Sequence, residues 1–551
     1  MFSTRKNSYL YFLVLLSIFV GCKRTPTDNN TQVVIAIPSD VERINPLFSY
    51  SVNEANISEL IFLSLVKHSW DYKTGDIKTE SMLADSWEWN GDSSAITLEL
   101  RNDVQWSDGV PLTIEDVIFS FDVYSDPVVE SYLYGSFKCF YTDNDNHIIA
   151  EKTFEKLSER KLQITFAPGS SPSLFNLDFP IVPKHIFDKM PRKEIATAKE
   201  NFAPVTSGPF TLEKWEKNQA IILKENPKSF LHKDGNVKRI IFKVIPGYNA
   251  RLTQLKNGEV DLAEYLKPED VSGLKNTGSL VVASLKGREY DYLGWNNLDP
   301  GQFKKNRNIV PNKLFGSEKI RQALSMAINR NEILSEYLHG YGELANSPIS
   351  PIFKNAIDEK LMPYAFDLAK AKTLLAEEGW IDKDRNGILE KNGEEFKFIL
   401  TISSNNPRRI FASTLIKNTF KQLGIDMKIE QLELGMLIDR INNKSVDAWM
   451  ASWIIPIPLD LKFSWYSHLA TTPMNFPSYQ NKELDALLDK LETKISWQQK
   501  NEIYKNIEAL LYRDQPVTFL YWIDNIVAYN KKIKNIEITP LGTVHHCWLW
   551  Q

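Results

Sequence analysis

Apolar and polar residues alternate over Ile96–Arg101, with Ile96, Leu98 and Leu100 on one face and Thr97, Glu99 and Arg101 on the other. That period of two predicts a strand buried on one side. The turn formers Asn102-Asp103 and Ser107-Asp108-Gly109 bracket Val104-Gln105-Trp106, and Pro111 ends further pairing. The period then lengthens. Ile114, Val117, Ile118 and Phe121 recur at helical spacing behind Thr113 as N-cap, with Glu115 and Asp116 where carboxylates suit the helix dipole. Read the same way, Val33–Pro38 is a strand and Asn53–Val66 a helix. Ile148–Ala150 and Lys161–Phe166 read as strands, and Lys319–Asn329 as a helix. Asp367 caps a helix over Leu368–Glu378 that stops at Gly379, and Phe411–Leu423 stops likewise at Gly424. Helices Lys482–Lys494 and Gln498–Arg513 precede two strands, Thr518–Trp522 and Ile526–Tyr529.

The pattern also repeats. Leu252, Leu255, Val260 and Asp261 return as Ile438, Ile441, Val446 and Asp447, each 186 positions later. Both sets place a helix face, a polar turn and a Val-Asp strand start in one order. One such echo is weak by itself, and it fits two α/β lobes of the same build.

At 551 residues, 43% hydrophobic and 24% charged, the composition is that of an ordinary globular chain of several domains. The net charge is −4, or −6 once Arg5 and Lys6 of the N-terminal segment are set aside. No basic stripe occurs, so nucleic acid is not an expected partner. Residues 1–22 read as a targeting segment: Arg5-Lys6, then an apolar run from Tyr9 to Val20 too short for an ordinary membrane span, ending Gly21-Cys22. A small residue before a cysteine resembles a lipobox, which implies cleavage and lipidation at Cys22; the plain alternative is a signal peptide with an incidental cysteine. Residues 23–32 are polar and read as a flexible tether. With no second long apolar run, the body is expected to be soluble. Cys139 and Cys547 remain, either paired in an oxidising compartment or standing as two separate thiols.

Ala84-Asp85-Ser86-Trp87 and the run LELRNDVQWSDGVPLTIEDVIFSFD resemble the signature of the family 5 extracellular solute-binding proteins, the peptide, nickel and glycan-fragment receptors of bacterial ABC importers. Pro183-Lys184-His185-Ile186-Phe187 and Ser207-Gly208-Pro209-Phe210 are further family-like elements, so the resemblance covers nearly the whole mature chain. It implies an α/β, periplasmic binding protein type II-like fold: two α/β lobes joined by a hinge, with an extra strand-rich domain inserted in the first lobe. The corresponding division is residues 33–66 with 204–286 and 512–551 for lobe I, 67–203 for the extra domain, and 287–511 for lobe II. The expected role is capture of an oligopeptide or similar solute between the lobes and delivery to permease subunits, by a monomer tethered to the membrane through its lipid. No cofactor is expected.

The resemblance also implies site residues. In peptide-binding members, an exposed first strand and the Asn-Pro turn, here Asn45-Pro46, lie along the cleft. A small-small-Trp strand, here Ala451-Ser452-Trp453, pairs with the ligand backbone, and an Asp three residues after the Trp captures the ligand ammonium. Here that position is Pro456, which has neither charge nor N–H. Asp460 and Asp40 are candidate substitutes. Tyr132, Gly208, Asn296 and Trp465 complete the ligand-binding candidates, Gly208 as a point of close backbone approach. The lost anchor leaves a nickel chelate or sugar fragment as the alternative ligand.

Other motifs have plainer readings. Asp382 to Glu390 opens like a calcium loop, but its twelfth position is Gly393, so a surface turn is expected. His545-His546-Cys547, read as a strand, would send its side chains to opposite faces and hold no metal. His185 reads as a packed or capping residue. G-x-S-x-G, H-E-x-x-H, P-loop and dinucleotide fingerprints are all missing, so no catalytic residue is expected. A secreted hydrolase is the reading from another class, and it requires a carboxylate pair or triad in the cleft.

Overall fold

The computed structural model describes residues 32–469, 472 and 474–551. Cys22, the leader and most of the expected tether lie outside them.

Two long antiparallel strands, Leu280–Trp295 and Val517–Asn530, form the spine of the molecule. Their first half, Leu280–Leu285 against Asn530–Asn525, belongs to one lobe; the second, Glu289–Gly294 against Ile523–Val517, belongs to the other. The register shifts between Leu285 and Glu289, where the chain crosses from lobe to lobe. At this crossing the backbones leave no room for a side chain, since a Cβ on Gly287 would lie 1.6 Å from the Ile523 carbonyl oxygen. Thr518–Trp522 and Ile526–Tyr529, expected as two strands, are one continuous strand. Between them, Asn525 pairs with Leu285 and the Asp524 N–H meets the Tyr341 carbonyl at 3.4 Å, which keeps the segment extended.

The spine joins two halves of one eleven-stranded sheet, and the two halves share one build. In lobe I, Gln32–Ile37 lies between Arg239–Val244 and Leu262–Ala263, parallel to both, and helix Tyr248–Lys256 links the latter two. In lobe II, Lys397–Ser403 lies between Asp426–Leu432 and Ala448–Ile454, again parallel to both, and helix Leu434–Asn442 links them. The sequence echo therefore marks a structural repeat. Its aspartates act alike: Asp261 accepts the Val34 N–H at 2.9 Å, and Asp447 the Ile399 N–H at 3.0 Å. Apolar clusters cover both faces of each half, as parallel strands require. The first strand, expected to be exposed, is internal to its sheet and four of its six residues are buried.

The strand-rich part between the lobe I elements holds a four-stranded antiparallel sheet, in the order Ala84–Trp89, Ala95–Leu100, Lys161–Thr165, Phe154–Lys156. Helix Ile114–Ser125 starts where the pattern predicts, with Asp116 accepting the Thr113 N–H at 2.8 Å. Ile148–Ala150 forms only a single bridge, Thr142 to Ile148, before a short helix. This part shares one continuous core with lobe I, in which Phe121 and Ile164 pack with Leu60, Ile61 and Phe242. The hairpin Val66–Asp71/Asp76–Ser81 reaches instead to lobe II. Trp70 packs edge-on against Phe353, Lys354 Nζ donates to the Tyr72 carbonyl, and the Asn355 amide donates to that of Thr74. Lobe II is thus held at the spine and again at this hairpin.

Helices Leu368–Glu377 and Pro407–Gln422 end at Gly379 and Gly424 with left-handed φ of 86° and 84°. Cys139 and Cys547 are both free thiols, raised in pKa by burial, Cys139 to about 12. No helix among the described residues is long and apolar enough to cross a membrane.

Candidate ligand-binding cleft

Where the spine crosses between lobes, two cavities meet at Arg288 and Leu541. The larger, about 320 Å³, is walled by Glu59, His68, Tyr132, Asp178 and His545, and by Ile457 of lobe II. The smaller, about 150 Å³, is walled by Glu264, Tyr265, Glu289, Ile454 and Asp524. Charged groups of both signs are thus set into a lining that is otherwise largely apolar, a mixture suited to a ligand that carries its own hydrogen-bonding backbone.

The shift in register that makes the crossing also turns Arg288 inward. Its Nη1 donates to the Ile455 carbonyl at 3.1 Å, it has no carboxylate partner among the described residues, and burial lowers its pKa. Arg288 is thus a cation with donors to spare at the junction of both cavities. Burial raises the carboxyl pKa of Glu264 against hydrogen bonds from Thr543 and Asn525, and that of Asp524 against one from Ser284. Beneath the cleft, Asp291 is fully buried. It accepts from Arg408 Nε at 2.7 Å, Arg409 Nη2 at 3.2 Å and the Tyr521 hydroxyl at 3.1 Å.

Strand Ala448–Ile454 pairs along its whole length with Glu289–Trp295. On its other side, Lys397–Ser403 reaches only Ala448 and Trp449. Among the described residues, no strand pairs with Met450–Ile454 on that side. Ala451, Ser452 and Trp453 therefore sit half-buried on a free edge, Trp453 stacked on Phe476 with centroids 5.4 Å apart. Ile454 at its end is 63% exposed and faces the smaller cavity. Tyr132 lines the larger one.

The remaining sequence candidates stand elsewhere. Asp40 is spent on the fold, accepting from Trp215 Nε1 at 3.1 Å, from Val41 N at 2.9 Å and from Asn218 N at 2.6 Å. Asp460 accepts the Lys462 N–H at 3.0 Å at the start of a short helix, and it lines neither cavity. Buried Asn45 donates to Asn201 Oδ1 at 2.7 Å and caps the turn at Pro46. Gly208 lets one backbone approach another rather than a ligand, since a Cβ there would meet Leu60 O at 2.6 Å. Asn296 is buried and donates to the Val446 carbonyl, and Trp465 is buried beside Phe519.

His185 Nε2 lies 2.9 Å from Asp108 Oδ2, within the turn of the signature stretch. His545 and His546, expected to diverge, instead face each other with ring centroids 3.7 Å apart. They lie in a turn rather than a strand, and the left-handed φ of 58° at His546 folds the second ring back on the first. Sequence reasoning passed over Arg288, Glu59 and His545 as cleft residues. Gly287-Arg288, interrupting an otherwise strand-like run, was the one local signal. In the calcium-like loop, Asp382 and Asp384 accept the N–H groups of Gly387 and Asn386.

Residues 78–475 match the model of the bacterial extracellular solute-binding proteins, family 5. The oligopeptide-binding protein AppA of Bacillus subtilis is 26% identical over 98% of this chain and 97% of its own. Its solved structure, in complex with a nonapeptide, superposes with a TM-score of 0.72 over 94% of this chain and 98% of that one. NikZ of Campylobacter jejuni, solved in complex with Ni(L-His), is 25% identical with a TM-score of 0.74 over 95% and 99%. The dipeptide-binding protein of Escherichia coli is 24% identical over 86% of each chain. AppA and NikZ match this chain nearly end to end. The two-lobed fold, the interlobe cleft and the matched 78–475 region give one conclusion: the chain belongs to the family 5 extracellular solute-binding proteins of bacterial ABC importers.

Proposed function

We propose that this protein captures oligopeptides, holding the ligand as an added strand on the free edge of Ala451–Ile454, and delivers them to the permease subunits of its importer. The observation that carries this reading is that edge: a short run of unpaired backbone donors and acceptors in the wall between two lobes, leading to the cavity at Ile454. An open edge is a liability in a folded protein unless something pairs with it. Arg288 supports the same reading as a partner for a ligand carboxylate or carbonyl. A second reading, a metal chelate in the same cleft, is favoured by Pro456 in place of the ammonium-binding carboxylate.

The test is calorimetric titration with a bound peptide and with versions N-methylated at alternate positions. Each methyl removes one backbone donor, and loss of a hydrogen bond of about 1 kcal/mol weakens binding roughly fivefold. One set of alternate positions should weaken binding and the other should not, because only every second residue faces the partner strand. Equal affinity for every methylated peptide would sink strand addition.

The membrane tether belongs to this proposal too. Cys22 is the proposed lipidated residue, supported by the apolar run ending at Gly21-Cys22. Cys22→Ala should leave the chain uncleaved or release it from membranes, and a variant still processed and membrane-bound would end this reading.

A further inference from the structure

One cluster on the cleft wall has no part in peptide binding as proposed. Glu59, near the end of helix Val52–Ile61, meets His545 and His546 from the turn before Cys547–Leu549, and one ligating atom from each lies within 4.8 Å of the others. His545 Nε2 is 2.7 Å from the His68 carbonyl oxygen. A carbonyl only accepts, so this nitrogen carries the proton. The other nitrogen, Nδ1, faces Glu59 Oε1 at 2.6 Å. His546 Nε2 is buried without a hydrogen-bond partner.

Packing alone does not account for this arrangement. Two imidazoles lie with centroids 3.7 Å apart, one held against a carboxylate and one with an unpartnered buried nitrogen, and the three residues bring a ligating atom each within 4.8 Å of the others. We propose that Glu59, His545 and His546 form a binding site for a divalent first-row transition metal ion of the kind imidazole prefers, with zinc as the probe. Two imidazoles and a carboxylate are the protein ligands of open zinc sites, which keep a further position for water or a ligand. The Nε2–H bond from His545 to the His68 carbonyl is the outer contact that fixes a ligating ring. To bind the ion, His545 Nδ1 releases to solvent any proton it shares with Glu59, and the ion takes the proton's place between the two groups. Glu59 and His545 both line the 320 Å³ cavity, so the open position faces the space a captured solute occupies.

The proposal does not rest on the peptide reading. Calorimetric titration of the full, metal-stripped chain with zinc chloride should give one equivalent per chain, and cobalt(II) should give visible absorption bands typical of a low-coordinate nitrogen and oxygen site. His546→Ala should weaken zinc binding by more than the roughly 10- to 100-fold that even an outer-shell partner is worth. Glu59→Gln should act in the same direction and serves where His546→Ala does not fold, as judged by thermal melting without metal. No stoichiometric zinc on the wild-type chain, or zinc held as tightly by a folded variant, would overturn the site. Peptide titration of the metal-free protein reads the other proposal separately.

Discussion

Asp291 offers a sharp energetic test, because it balances two buried cations directly beneath the candidate edge. It pairs across the ladder with Ser452 on one side and Tyr521 on the other. Its carboxylate is the sole acidic partner of Arg409 among the described residues, while Arg408 also reaches Glu289 at 3.3 Å. Asp291→Asn keeps the shape but removes the charge and turns an amide N–H₂ towards guanidinium donors. Stripping one partner from a buried ion pair costs about 3–5 kcal/mol, and the remaining Glu289 contact should keep the loss near the lower figure. For a unit of lobe size, about 2–4 °C per kcal/mol places the melting shift at roughly 6–12 °C. The pH dependence supplies an internal control. Burial alone would raise the Asp291 carboxyl, but the two guanidiniums and their hydrogen bonds outweigh it and hold the carboxyl below its ordinary value. A depressed carboxyl contributes stability that is present above the unfolded value, about 3.9, and lost as pH falls through the folded one. Scanning calorimetry should therefore show wild type and variant far apart at pH 7 and converging in acid. A loss under about 1 kcal/mol at pH 7, or a gap unchanged at the most acid pH, would refute the reasoning.

Further outcomes are expected elsewhere. Burial pushes the Glu508 carboxyl up to about 7, against hydrogen bonds from Asp358 N–H and Ser347. The native state then holds a proton that the unfolded chain releases, so stability falls as pH rises from about 4.5 to 7; Glu508→Gln should change little at pH 4.5 and gain up to about 3 kcal/mol at pH 8 in calorimetry. Gly287→Ala forces a Cβ against the Ile523 carbonyl at the crossing of the spine and should cost about 1–3 kcal/mol; small-angle scattering should show that the variant no longer compacts with a peptide that closes the wild type. If the ligand is a peptide, Pro456 cannot hold its ammonium, so free and N-acetylated forms should differ by less than about tenfold in calorimetry, and a larger penalty would assign the anchor to another cleft carboxylate.

Much was legible in the chain because its causes are local. The capping of Ile114–Ser125, the stops at Gly379 and Gly424, and the alternation of Ala95–Leu100 depend on residues within a few positions of one another. The echo of Asp261 in Asp447 was legible for a related reason. Each aspartate must bond the N–H of an adjacent parallel strand, and that demand recurs in each lobe. The signature stretch likewise carried the family.

Tertiary structure decided what lies between distant residues. Asp40 could serve a ligand until Trp215, 175 positions later, claimed its carboxylate. Thr518–Trp522 and Ile526–Tyr529 read as two strands until pairing with Leu280–Gly294 makes them one. Arg288 is an ordinary cation in the chain, and only the register shift at the crossing of the lobes turns it into the cleft. Glu59 and His545 lie nearly a whole chain apart yet meet at 2.6 Å. Bringing such residues together costs closure entropy that grows only with the logarithm of their separation, so sequence distance scarcely limits which groups meet. What selects them is the order in which strands pair, which is settled by burial of whole sheet faces and written in no short stretch of sequence.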